Sequence, residues 1–243
     1  MFVKSRGVVL RQIPYNDNSV ILKIFSERSG IVSAINKRST SAKSKNKKTG
    51  LLMPLTLIDL EYEIKPNDSF IRIKEIKLNI QCVSNSSFDI YKNNIKLFLG
   101  EVLGACLRDH HGEDSLFDFT FGAIVYLNST LNNPKNFHLA FLSQLCKHFG
   151  ICPEEEYNIT KPYFNIETGQ LQQHQPIFYP IGVITSQLLF KLFSLDYFEE
   201  ADRLIIDNSE RRELLRLLVK YLDLYLHTLG NIKSLAVLEE VFE

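Results

Sequence analysis

The sequence predicts an α+β chain in which a small five-stranded barrel precedes an α-helical C-terminal domain. Apolar residues keep a strand-like pattern through the first 80 residues, punctuated by turn clusters, and take a helical period from Ser84 onward. Charge changes at the same place: residues 1–80 hold 15 Lys/Arg against 7 Asp/Glu, and residues 81–243 hold 13 against 21. The net charge of zero therefore hides a basic unit joined to an acidic one, with boundaries expected at 1–80 and 81–243. A 45% hydrophobic, 23% charged composition is that of an ordinary globular protein.

The strands follow in order. Phe2–Ile13 is the first, and Gly7 inside it signals a bulge or bend. Pro14–Asn18 is a turn cluster, Ser19–Ser26 the second strand, Glu27–Gly30 a tight turn and Ile31–Asn36 the third strand. Leu51–Ile64 alternates, with Asp59, Glu61 and Glu63 on one face and Ile58, Leu60 and Tyr62 on the other. Phe70–Leu78 is the fifth strand, with a break in phase near Glu75. Five short strands avoid exposed edges by closing into a small barrel, for which the OB-fold is the five-stranded candidate. Helices follow over Phe88–Arg108, Ser115–Leu131 and Asn136–Phe149. Residues 151–183 break the period and form an irregular insertion with a small hairpin turning at Glu167–Gly169. Helices resume at Thr185–Leu195, Glu210–Leu229 and Lys233–Phe242, with Gly230-Asn231 as the stop between the last two.

Function is most legible between the third and fourth strands. Lys37, Arg38, Lys43, Lys45, Lys47 and Lys48 fall in a Ser-rich loop, and no Asp or Glu occurs between Glu27 and Asp59. Such a run stays solvated and suits a polyanion, although a solvated linker has the same composition. Arg6, Arg11, Lys23, Arg72 and Lys74 on the strands extend the basic surface, or are ordinary solvent-facing charges. Aromatic stacking partners belong on a single-strand platform, and Tyr15, Phe25 and Tyr62 are candidates that equally suit the core.

Other chemistries are poorly supported. Lys48-Thr49-Gly50 lacks the spacing of a phosphate-binding loop, and Ser44-x-x-Lys47 lacks the companion motifs of a serine–lysine enzyme. His110-His111 with Glu113 and Asp114 lacks ligand geometry for a metal, because adjacent helical residues face different ways. No clustered carboxylates accompany the basic region, which argues against a metal-dependent nuclease or other phosphoryl-transfer enzyme. Lys4, Arg6 and Arg11 interrupt any signal-peptide core, and no stretch reaches the length of a membrane span. The expectation is a cytoplasmic, nucleoid-associated protein without membrane contact, with Cys82, Cys106, Cys146 and Cys152 as reduced core thiols.

The ordered motifs resemble the RecO family of bacterial recombination mediators. Tyr15–Leu22 followed by Phe25-Ser26-Glu27-Arg28-Ser29-Gly30 is similar to the family's Tyr, Ser, aliphatic run and Phe-Thr-x-x-x-Gly. Lys37-Arg38 followed by Leu52-Met53-Pro54-Leu55-Thr56 resembles its Lys-Gly-x-Arg and Leu-x-Pro-Phe segments. Phe141–Gly150 followed by Ile151-Cys152-Pro153 resembles its Leu-rich helix ending in Leu-Gly-Tyr-x-Pro, and Lys233-Ser234 its late Leu-Lys-Ser. The resemblance spans nearly the whole chain. It implies an N-terminal OB-fold and a C-terminal helical domain. It also implies binding of single- and double-stranded DNA, annealing of complementary strands, and help in loading recombinase onto DNA coated by single-strand-binding protein. The implied partners are RecR and the acidic, apolar C-terminal tail of single-strand-binding protein. Candidate cations for that tail are Lys147, Arg216 and Lys220. Many relatives carry a four-cysteine zinc site in the irregular segment, but here that segment has no cysteine beyond Cys152. No zinc and no other cofactor is therefore expected, and packing of Tyr163, Phe164, Phe178 and Tyr179 should hold the loop instead.

Overall fold

A computed structural model of the chain describes residues 2–37, 52–65, 68–80, 89–107, 114–131 and 134–241. Contacts divide the chain into two compact units, Met1–Leu131 with Ile232–Leu238 and Asn132–Asn231 with Glu239–Glu243.

In the first unit, β1 (Phe2–Asn16), β2 (Ser19–Ser26), β3 (Gly30–Lys37), β4 (Leu57–Glu63) and β5 (Arg72–Leu78) form one antiparallel sheet in the order β3-β2-β1-β4-β5. A parallel bridge from Ala34 to Ile71 joins its outer strands, and Ile71 N–H donates to the Ser33 carbonyl at 2.8 Å. The sheet thus curls into the five-stranded barrel of the OB class. Val9, Val20, Leu22, Ile24, Val32, Ile58, Leu60 and Tyr62 fill its interior, so the alternation read from β4 holds.

Local departures have physical causes. Gly7 is not the bulge: a Cβ there would lie 2.8 Å from Leu60 Cδ2 and 3.0 Å from Ile24 Cγ2, so close packing inside the barrel requires glycine. The bulge falls at Leu10, between the pairs Val9–Ile24 and Arg11–Lys23. β1 also continues through the expected turn to Asn16. Pro14 is tolerated because β1 pairs with β4 only over Phe2–Val8, leaving the later residues β2 as their one ladder partner. β4 starts at Leu57 rather than Leu51, after a turn in which Leu55 takes φ 57° and donates to the Val9 carbonyl at 2.7 Å. A further irregularity in β1 leaves Tyr15 without a partner between the pairs Pro14–Val20 and Asn16–Ser19, and the phase break in β5 is another bulge: Glu61 pairs with Glu75 and Tyr62 with Ile73, leaving Lys74 as the extra residue.

Two helices of the same unit, α1 (Ile90–Cys106) and α2 (Asp114–Ser129), cover part of the barrel's outer surface. Gly100 of α1 lies so close to the Leu10 bulge that a Cβ would be 2.8 Å from the Leu10 carbonyl oxygen. Phe117 of α2 meets Phe25 edge-on at 5.3 Å between centroids. The class of secondary structure changes near residue 80, but packing keeps α1 and α2 with the barrel. Glu101 of α1 accepts from the backbone N–H groups of Lys233 and Ser234 and from the Ser234 hydroxyl, capping the start of α7 (Ser234–Val241).

In the second unit, α3 (Phe137–His148) packs with α4 (Val183–Phe193), the single turn α5 (Phe198–Ala201) and α6 (Asn208–Leu226). The turn α5 was not legible in the sequence pattern, being too short to show a period. Asp207 and Glu210 form a reciprocal capping box that starts α6. The helix ends at His227, in the left-handed conformation at φ 53°, earlier than the expected stop at Gly230. Buried Arg211 binds the side-chain oxygens of Asn136 and Asn208 and the Ile206 carbonyl.

The irregular insertion carries the hairpin β6 (Tyr163–Asn165) and β7 (Gln170–Gln172). Phe164 is fully buried between Phe190 and Tyr221, both edge-on within 5.6 Å. The Phe164 N–H donates to Ser186 Oγ and the Leu171 N–H to Glu155 Oε1. The expectation that Phe178 and Tyr179 also hold this loop is corrected, because both are exposed. Cys106 and Cys146 are buried thiols. Cys152 is half-buried, and burial raises its thiol above the usual range, with Lys147 opposing. Among the described residues, no three His, Cys, Asp or Glu side chains group as metal ligands, and no helix is long and apolar enough to cross a membrane.

Candidate nucleic-acid interface

Register decides which strand cations share a surface. Arg11 pairs with Lys23, Lys23 with Ser33, Ile13 with Ile21, Ile21 with Ile35, and Ser19 with Lys37. Side chains of paired residues project to one side of a sheet, and so do every second residues of a strand. Arg11, Lys23 and Lys37 therefore stand on one outer face of β1–β2–β3, between and beside Ile13, Ile21 and Ile35. No carboxylate pairs with Arg11, Lys23 or Lys37 among the described residues. Arg11 and Lys23 are directly opposite, an arrangement of like charges that costs stability.

The other strand cations are engaged elsewhere. Arg6 Nη2 lies 2.9 Å from Glu27 Oε1 and 2.7 Å from Asp118 Oδ1. Its guanidinium carbon sits 5.2 Å and 4.8 Å from the Phe117 and Phe121 ring centroids. Hydrogen bonding to Glu27, then to Asp118, holds Arg6 above its ordinary pKa, and the same contact with Arg6 lowers Glu27. Arg6 is thus committed to clamping α2 against the barrel. Lys74 Nζ lies 4.1 Å from the Phe2 ring centroid, and Arg72 is 3.5 Å from Asp68. The outer face of β4–β5 is charge-compensated: Lys4 lies 3.5 Å from Glu61 and Lys77 2.8 Å from Glu75. Arg38, Lys43, Lys45, Lys47 and Lys48 lie outside the described residues.

Of the aromatic candidates, Phe25 is 1% exposed beneath α2. Tyr62 is buried inside the barrel, where its hydroxyl donates to Ser29 Oγ at 2.7 Å and shares a hydrogen bond with Ser26 Oγ at 2.8 Å. Tyr15 is 55% exposed and faces Phe70 across 6.5 Å at an interplanar angle of 58°. Phe70 was missed as a partner because only the barrel closure at Ile71 brings it beside β3. Ile35, Asp68, Ser69, Phe70, Ile71, Arg72 and Ile73 line a cleft of about 430 Å³ at this mouth.

The candidate partner-binding cations lie in the second unit. Lys147 Nζ donates to the Leu195 carbonyl at 3.1 Å and borders a cleft of about 730 Å³ with Tyr157, Phe190 and Phe193 and an acidic rim of Glu154, Glu155 and Glu156. Arg216 and Lys220 border a smaller cleft of about 220 Å³ with Ile166, Tyr179, Pro180, Ile181 and Leu217. Arg216 is held in a two-pronged pair with Glu239 at 2.6 and 2.8 Å. Lys220 Nζ lies 5.3 Å from the Tyr179 ring centroid and 3.9 Å from Asp223.

Residues 1–80 match the family model described as Recombination protein O N terminal, and residues 87–159 match Recombination protein O C terminal. The chain is 31% identical to the DNA repair protein RecO of Azobacteroides pseudotrichonymphae genomovar. CFP2 and 30% identical to that of Bacteroides fragilis. It is 29% identical to that of Flavobacterium psychrophilum. In each case 100% of both chains is covered.

Proposed function

The chain belongs to the RecO family of DNA repair proteins, and from that premise we propose that it binds single- and double-stranded DNA, anneals complementary strands and helps load recombinase onto DNA coated by single-strand-binding protein. It is a recombination mediator rather than an enzyme. The observation that carries the proposal is the row Arg11, Lys23 and Lys37, three cations on the outer face of an OB barrel that have no carboxylate partner among the described residues. Mobile counterions leave a nucleic-acid backbone when such cations replace them, and screening two backbones lets complementary strands approach. Lys37 leads directly into Arg38, Lys43, Lys45, Lys47 and Lys48, which extend the same charge.

In this proposal the barrel and its loop hold DNA, and the helical part holds RecR and the tail of single-strand-binding protein. For that acidic, apolar tail, the cleft beside Lys220 is favoured over the one beside Lys147. It offers Tyr179, Pro180, Ile181 and Leu217 with Glu213 as its one acidic wall, whereas three glutamates border the other. Lys220→Glu should abolish binding of a fluorescent tail peptide; unchanged binding removes this placement. Cytoplasmic, nucleoid-associated action follows from the same proposal.

Incubation with labelled complementary strands and magnesium tests the activity. Annealing without cleavage is expected. Turnover of the DNA would instead favour a phosphoryl-transfer enzyme, and no binding at low salt would leave only an interaction protein.

A further inference from the structure

We propose that the cleft at the barrel mouth, between the end of β3 and the start of β5, is a stacking subsite for an unpaired base of single-stranded nucleic acid. The inference rests on the DNA-binding role of the barrel face and adds which chemical part of the strand is held there. Phe70 lines the cleft, and Tyr15 stands beside it, ring against ring. Their rings meet at 6.5 Å and 58°, tilted apart rather than stacked, and neither is buried. The neighbouring ring pairs Phe25–Phe117 and Phe117–Phe121 belong to the buried contact between barrel and α2, so burial does not explain this pair. Exposed aromatic surface beside an open cleft of about 430 Å³ is a site for another flat apolar face.

Charge identifies that face. Ile35, 41% exposed, lines the cleft and stands on the same outer face of the sheet as Lys23, Lys37 and Arg11. The cleft and these cations, which have no carboxylate partner among the described residues, are therefore one continuous surface, partly apolar at the mouth and basic along the strands. Arg72 borders the cleft on the β5 side, and the one carboxylate in the lining, Asp68, is 3.5 Å from it. A ligand that is anionic along its length and carries flat π-faces at intervals fits this layout: phosphates on the cations, a base against Tyr15 and Phe70. An apolar protein segment would use the cleft but leave the cations unanswered. In a duplex the base faces are stacked on one another, so the subsite distinguishes single from double strands where the cations do not.

The test compares fluorescent oligothymidine, an abasic oligomer of the same length and a blunt duplex, titrated by anisotropy. Tyr15→Ala with Phe70→Ala should weaken oligothymidine binding about tenfold while leaving abasic and duplex affinities and the salt slope unchanged. Tyr15→Phe should bind as the parent does. Where the double variant melts early, Tyr15→Ala alone serves, since that side chain is largely exposed. Oligothymidine affinity unchanged, or a loss shared equally by all three ligands, overturns the subsite while leaving DNA binding by the barrel intact. A parent protein that binds none of the three overturns the DNA-binding role and the subsite with it.

Discussion

Replacing Arg11, Lys23 and Lys37 together with glutamine probes the interface most directly. The three share one face of β1–β2–β3 and have no carboxylate partner among the described residues, so each is available to a phosphate. Each phosphate neutralised on a single strand contributes roughly −0.7 to the slope of log affinity against log salt, so the variant should lose about 2 from that slope. Between about 50 and 200 mM salt, the parent should then lose about fifteenfold more affinity than the variant does. Anisotropy titrations of a labelled oligonucleotide across that range read both quantities. Lys77→Gln is the control: Lys77 lies on the compensated face, 2.8 Å from Glu75, and its loss should leave the slope alone. Stability separates contact from misfolding. Arg11 and Lys23 are like charges directly opposite, so removing them should leave melting unchanged or raise it slightly, on the order of 0.5 kcal/mol. An unchanged slope in the triple variant, or an equal loss in Lys77→Gln, would refute the assignment.

Three further outcomes concern the scaffold. Arg6→Ala removes two ion pairs and two ring contacts, and after allowance for its partial exposure it should cost about 2 kcal/mol in denaturant unfolding. Gly7→Ala forces a methyl to within 2.8 Å of Leu60 and should cost about 1–3 kcal/mol by the same measurement. Glu101→Gln tests the cap on α7. Burial opposes ionisation of Glu101, but hydrogen bonds from Ser234 and Lys233 outweigh it and lower the carboxyl below its ordinary value. A depressed carboxyl stabilises the fold fully above its unfolded value of about 4.3, and that stabilisation disappears as pH falls through the folded value. Melting temperatures should therefore fall less steeply with acid in the Gln variant, which is about 1–2 kcal/mol less stable at neutral pH. Parallel acid profiles for the two proteins would remove the role given to this cap.

The sequence by itself determined the order and class of nearly every element. Strand alternation and helical periodicity are local properties, and each shows in five or more consecutive residues. It also determined the basic character of the first 80 residues and, through ordered motifs, the family. Tertiary structure alone decided which cations are free. Arg6 and Arg11 look alike in the chain, yet Arg6 meets Asp118, 112 residues away, while Arg11 lies opposite Lys23 and has no carboxylate partner among the described residues. It also decided which aromatics are exposed. Phe25 and Tyr15 lie ten residues apart on neighbouring strands, but α2 covers the first and nothing described covers the second. The Leu10 and Lys74 bulges shift register by one residue, and a one-residue shift moves every following side chain to the other face. The cleft beside Phe70 exists because Ile71 closes the barrel onto β3. These outcomes depend on contacts between residues far apart in sequence, which no local pattern encodes.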